Sequence, residues 1–428
     1  MNRNDASSHF ETHDDIEVPE AILNVYPDPE SAAAGTFHDI NDPEILRLSD
    51  DLGRQRAEQV KKEFMFMWKN YEMKAWGQDE LQPKSGKGNN NWGHMGVTLV
   101  DTLDTLWLMD LKSEFERAKN WVRDSLNFNK VNRQMSFFET NIRMMGGLLS
   151  AHDLSGDQMF LDKALDLAGR MLPGFNTGSG IPHAQIKLSD SSVKESWTGA
   201  NAVLAEFGTL QLEWRYLSEK TNNPMYREKV EKIYDKLGPG RLDGMWPTTA
   251  NRNTGRPSSS TYTMGALSDS FYEYLLKMWL QGGKKEPKWR KMYDDAMNGM
   301  TKHLLGQSGH LHFVGEKTGA RFKKKMEHLA CFTGGTFSCV VLLFLSCTHS
   351  YYTFCTHSYC LILIAFILHT HTHTHTHTLK VCLHWAQKTI PRVQTRNVHN
   401  EIFETQSLSR THAIVCIVIC LQDCLPSS

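Results

Sequence analysis

Along the middle of the chain, apolar residues recur at helical rather than strand spacing. In Leu111–Leu126, the residues Phe115, Ala118, Trp121 and Val122 share one helical face. Ile142, Met145, Leu148 and Leu149 repeat the pattern, as do Phe160, Ala164, Leu167, Ala168 and Met171. Sustained alternation of apolar and polar positions is scarce. The predicted helices come in pairs. A first helix rich in Leu or aromatics (TLDTLWLM, GGLLSAHDL, TLQLEWRYL, SFYEYLLKMW) ends in a short polar loop (DLKSE, SGDQM, EKTNNPM, GGKKEPK). An aromatic residue, Phe115, Phe160, Tyr226 or Trp289, then opens the second helix. These openers lie 45, 66 and 63 residues apart, so extra loop is inserted between some units. A lone helical hairpin cannot bury its apolar face, and neighbours must stack. The pattern therefore predicts an all-α array of hairpins, either an open solenoid or a closed α/α barrel.

Composition narrows this picture. The chain has 428 residues, 40% of them hydrophobic, with 11 Trp and 20 Phe, which is material for a sizeable core. Lys plus Arg is 47 against 48 for Asp plus Glu, so a nucleic-acid partner, which needs a basic surplus, is not expected. No run reaches the ~18–20 apolar residues of a membrane span, and the first residues, MNRNDASSHFETHDD, carry no basic-then-apolar signal. All nine Cys fall between Cys331 and Cys424, and 337–428 holds only eight charged residues, with a His-Thr repeat from His369 to Thr378. Three segments follow: an acidic leader or stem over 1–52, expected to be disordered; a globular part over 53–335; and an aberrant low-complexity tail over 336–428. That tail reads as translated non-coding sequence, since a CA dinucleotide repeat in frame encodes alternating His and Thr.

The long loops between hairpins are rich in Gly, Asn and aromatics: AWGQDELQP, GKGNNNWGHMG, MLPGFNTGSGIPHA and GMWPTTANRNTGRPSSSTY. Such residues can line a sugar cleft, and they also make ordinary turns. Carboxylates stand where these loops meet helices. Glu139 reads either as a catalytic acid or as a first-turn acid favoured by the helix dipole, with Arg143 its i,i+4 partner. Asp269 invites the same pair of readings, with Ser268 or Asp269 as an N-cap. Glu206 lies inside an otherwise apolar helix and needs a partner or a polar cavity; Asp101 and Asp104 are similar.

Taken in order, AWGQDELQP, TLVDTLDTLWLM, FFETNIRMMGGLLSAHDLSGD, MLPGFNTGSGIP, LAEFGTLQLEWRYLS, GALSDSFYEYLLK and KKMEHLACFTGG resemble class I α-1,2-mannosidases, glycoside hydrolase family 47. The resemblance covers about 53–335. It implies an (αα)7 barrel and a Ca²⁺-dependent, inverting hydrolase of terminal α-1,2-linked mannose on N-linked oligomannose glycans. Carried over by motif, Glu139 is the acid that protonates the glycosidic oxygen and Asp269 a second active-site acid. Arg143 and Glu206 bind substrate. Cys331 is the first half of the family's single disulfide, its partner not identifiable. Leu267 stands where the endoplasmic-reticulum branch of the family has Arg, which favours a Golgi-type preference. The resemblance further implies a monomer on the lumenal side of the Golgi or endoplasmic-reticulum membrane, although no span precedes residue 53.

The family pattern continues past the CF-x-GG segment, with an RPE-x-x-ES motif that supplies further acids and a late Thr that binds Ca²⁺. Neither is found in this sequence. The expectation is thus a partial barrel lacking its last hairpins, with no direct protein ligand for the metal and little or no turnover. Two other classes stay open: a noncatalytic mannose-binding relative acting in glycoprotein degradation, and a helical interaction scaffold.

Overall fold

The computed structural model describes residues 43–336, apart from Ser196 and His310. The tail, with its His-Thr repeat and eight of the cysteines, lies outside the described residues, as does the leader up to residue 42. The described residues fall into two units, divided between Phe66 and Met67.

In the first unit, Pro43 opens the Pro43–Ala75 helix, where its fixed φ is already helical. Arg47 pairs with Glu44 at 2.8 Å and with Asp51 at 3.1 Å, and Arg54 pairs with Asp51. This i,i+3 and i,i+4 ladder supports the opening turns of the helix. The leader expected over 1–52 therefore ends earlier than its acidic composition suggested. Residues 43–52 are helical, with Arg47 and Arg54 set three and four positions from their acids.

In the second unit, the predicted pairs are all present. Leu103–Leu108 packs with Lys112–Ser125, and Gly146–Ser155 with Gln158–Met171. Gln211–Thr221 packs with Pro224–Leu237, and Asp269–Gln281 with Pro287–His303. The loop chemistry sets these boundaries. Gly156, at φ 72°, ends one helix and Asp157 caps the next by accepting from the Met159 amide at 3.0 Å. Asn223 does the same for Met225 at 3.2 Å, with Pro224 behind it. First helices of successive pairs pack in order: 103–108 on 146–155, that on 211–221, and that on 269–281. They form an inner row, with the second helices outside it.

All four aromatic openers are buried. Rings bridge neighbouring hairpins: Phe115 to Phe160 at 6.0 Å and Tyr234 to Trp289 at 5.0 Å. Backbones also approach closely. A Cβ on Gly147 would lie 2.7 Å from the Val100 carbonyl oxygen. Gly147→Ala is expected to destabilise by about 1–3 kcal/mol through overpacking, despite alanine's better helix propensity. A urea midpoint unchanged from wild type would show that the two helices separate freely.

The long loops contain antiparallel strands of two to four residues. Alternation over so few positions leaves no readable period. Met135–Ser136 pairs with Gln185–Lys187, which pairs with Ser192–Lys194; Asn201–Val203 pairs with Thr249–Asn251. Thr261–Tyr262 pairs with Glu316–Thr318, and that with Arg321–Lys323. The second unit is thus part of an α/α toroid, with short sheets at the ends of its helices.

Candidate active site

Glu139, Glu206 and Asp269 lie far apart in sequence and line one cavity of about 490 Å³. Each stands in the first turn of a helix: Phe137–Glu139, Leu204–Gly208 and Asp269–Gln281. The helix N-termini offset part of the cost of gathering three acids. Glu206 lies within a helix as expected, but the helix is short, Leu204–Gly208, and the strand Asn201–Val203 leads directly into it. The apolar run around it is divided between strand and helix, which periodicity alone cannot separate.

The Glu139 turn is held from several sides. The Ser136 hydroxyl accepts from the Glu139 amide at 3.2 Å. Arg143 donates to Glu139 at 2.7 Å and to Asp101 at 3.1 Å, so the i,i+4 pair of the sequence reading exists and extends to a third group. Thr140–Met145 forms a wide π-type turn, a distortion that recurs at functional sites. Buried Asn141 pins this turn. Its amide donates to the Thr209 carbonyl at 3.2 Å and to Glu213 at 3.0 Å, and its oxygen accepts from Trp214 at 2.9 Å. Tyr274 donates to the other Glu213 oxygen at 2.8 Å, tying in a third inner helix.

Electrostatics differ among the three acids. Burial, together with the nearby negative charge of Glu139, pushes the Glu206 carboxyl up to about 7. Burial also raises Asp269, against donation from the Ser270 amide at 2.8 Å and its hydroxyl at 3.3 Å. Ser268 stands at the N-cap position of this helix but makes no side-chain cap bond. Asp104 is not a cavity residue; it is buried and accepts from Ser150 at 3.0 Å.

The structure adds residues that sequence reasoning missed. Glu273 and Lys277 line the same cavity and pair at 2.6 Å. Their i+4 and i+8 spacing from Asp269 was a readable signal. Glu327 accepts from the Ala266 amide at 2.7 Å, holding the turn in which Leu267 adopts φ 74°. The KMEHLACF motif contained this residue, but nothing local pointed to a partner 61 positions away.

The loops expected to supply sugar-stacking Trp do otherwise. Trp76, Trp92 and Trp246 are not among the cavity-lining residues. Asp79, fully buried, organises two of these loops, its carboxylate accepting from the amides of Trp92, His94, Met95 and Val97. Cys331 is exposed, and every other cysteine lies outside the described residues.

The glycosyl hydrolase family 47 model matches residues 63–410, which takes in part of the tail. The chain is 44% identical over 292 residues to the mannosyl-oligosaccharide 1,2-alpha-mannosidase MNS1 of Arabidopsis thaliana, covering 67% of this chain and 52% of that protein. It is 42% identical over 289 residues to the endoplasmic reticulum mannosyl-oligosaccharide 1,2-alpha-mannosidase of Rattus norvegicus, covering 66% and 44%. The chain thus spans about half the length of these curated relatives. Among solved structures, an alpha-1,2-mannosidase from Trichoderma reesei superposes with a TM-score of 0.64 at 30% identity, over 68% of this chain and 64% of that one. The expected fold class, all-α and part of an (αα)7 barrel, is borne out. With the family model matching most of its length and two relatives above 40% identity, the chain belongs to glycosyl hydrolase family 47.

Proposed function

We propose that this cavity takes the terminal α-1,2-linked mannose of N-linked oligomannose glycans and takes part in its hydrolysis with inversion, during glycoprotein processing. The observation that carries this reading is the meeting of Glu139, Glu206 and Asp269 around one cavity. Glycoside hydrolysis needs one carboxyl to protonate the leaving oxygen and, with inversion, another to activate water from the opposite face, ~6.5–9.5 Å away. We assign Glu139 to the leaving oxygen and Asp269 to the second acid. Arg143 fixes the Glu139 rotamer and compensates its charge once the proton has gone. Glu206 meets sugar hydroxyls, and Leu276, Leu329 and Phe332 offer apolar walls to the C–H faces of the ring.

One observation favours a second assignment. Glu206 keeps its proton close to neutrality, whereas Glu139 is ion-paired to Arg143. Paired carboxyls driven apart in this way often divide acid and base roles. In that case Glu206 donates the proton and Glu139 polarises the water.

Calcium is the cofactor that the family resemblance implies. Ca²⁺ takes 6–8 oxygen ligands, and among the described residues no group of three or more His, Cys, Asp or Glu is placed to hold a metal ion. The described residues do not make that site. The setting we infer is the lumen of the endoplasmic reticulum or Golgi. Among the described residues, no helix is long and apolar enough to cross a membrane.

Calorimetric titration of the full chain with α-1,2-mannobiose tests the reading, with α-1,6-mannobiose as the control. Binding of the first and not the second is expected. Failure to bind α-1,2-mannobiose overturns it and leaves the scaffold alternative. Release of free mannose from an oligomannose glycan with added calcium separates an enzyme from a noncatalytic binder.

A further inference from the structure

Glu327 stands at the N-cap position of the short His328–Cys331 helix, yet its side chain makes no cap bond there. The carboxylate reaches instead to the turn before Asp269, where it accepts from the Ala266 amide at 2.7 Å. Gly265 leaves the room for this, since a Cβ there would run into the carboxylate. What the bond holds is strained backbone. Leu267 adopts φ 74°, a left-handed conformation that glycine takes freely and leucine does not.

The turn has further ties. The Ser268 and Asp269 amides donate to the Gly265 carbonyl at 3.2 and 3.0 Å. The Gly265 amide donates to the Thr263 hydroxyl at 2.9 Å. On the far side, the Leu267 carbonyl accepts from the Ala205 amide at 2.9 Å. Three stretches of cavity wall are joined in this way. Leu267 and Asp269 belong to the turn, Ala205 and Glu206 to the Leu204–Gly208 helix, and Leu329 and Phe332 to the segment after Glu327. Glu327 itself is not among the cavity-lining residues.

We propose that Glu327 is a positioning residue for the mannose site. By holding the left-handed turn, it sets where Leu267 and Asp269 face the sugar, without touching the sugar. The inference rests on the function proposed above. A turn freed from this bond relaxes toward unstrained backbone, and only the fraction that stays left-handed presents the site.

The test is calorimetric titration of the full chain with α-1,2-mannobiose, with urea denaturation to show that each variant is folded. Glu327→Met, which keeps the length of the side chain and removes the acceptor, is expected to weaken binding roughly five- to tenfold. Glu327→Gln keeps an oxygen that can accept from Ala266, and is expected to stay within about twofold of wild type. In a Leu267→Gly chain the turn is no longer strained, so adding Glu327→Met there is expected to cost less than about twofold more. A folded Glu327→Met chain that binds like wild type overturns the inference and leaves the functional reading intact. A Glu327→Gln chain as weak as Glu327→Met also overturns it, because the charge and not the held turn would then matter. So does an equal loss from Glu327→Met with Leu and with Gly at position 267. A wild-type chain that binds no mannobiose overturns both proposals.

Discussion

Asp79→Ala is expected to destabilise the second unit by about 3–5 kcal/mol, the range for stripping a buried charge from its partners. The Asp79 side chain is fully buried, and its two oxygens divide four backbone donors. One takes the amides of Trp92 and His94, both at 2.9 Å; the other takes Met95 at 2.8 Å and Val97 at 3.3 Å. Alanine leaves all four N–H groups without that acceptor, those of Met95 and Val97 in the buried interior. Asp79→Asn is expected to cost nearly as much, because its NH2 group would set donors against two backbone donors. The damage should reach the cavity. Val97 opens the Val97–Asp101 helix, and Asp101 is one of the two acids that hold Arg143. Urea denaturation gives the stability, and a loss below about 1 kcal/mol would show that these amides find other acceptors.

Glu206→Gln is expected to stabilise the fold by about 3 kcal/mol at pH 8 and by very little at pH 4, a dependence fixed by the direction of the shift. In the folded chain this carboxyl is pushed from its ordinary 4.5 up to about 7. Between those values the native state holds a proton that the unfolded chain has released. Stability from this group is thus fully present below 4.5, falls as pH rises, and is lost above about 7. Glutamine removes the ionisation and with it the penalty. Denaturation of both chains at pH 4 and pH 8 measures the difference, and an equal effect at the two pH values would sink the argument. The same substitution is expected to weaken mannobiose binding. A carboxyl kept at such a cost to stability fits a group selected for chemistry near neutrality.

The hairpins were legible because each combines a helical period with a polar loop and a buried aromatic opener. Phe115, Phe160, Tyr226 and Trp289 mark the second helices, and the structure buries all four. Glu139 and Asp269 were visible at helix starts, yet each also looked like an ordinary first-turn acid. Only the fold shows that Glu139, Glu206 and Asp269 face the same space. Glu327 and Arg252 were not legible for a related reason. Their partners are backbone groups distant in sequence, Ala266 for one and Gly199 for the other. Nothing about a single Glu or Arg reports such a partner. The strands of two to four residues were missed because so short an alternation carries no statistical weight.

The turns inside the pairs, capped by Asp157 and Asn223, are only a few residues long, so closing each pair forfeits little chain entropy. Contacts made between near neighbours also form early when a chain collapses. Contacts within a pair are thus local, whereas the stacking that buries each pair's apolar face joins residues further apart in the chain. At the seam between Val97–Asp101 and Gly146–Ser155, where a Cβ on Gly147 would meet the Val100 carbonyl, a hydrogen-sized side chain is what lets the two helices lie so close.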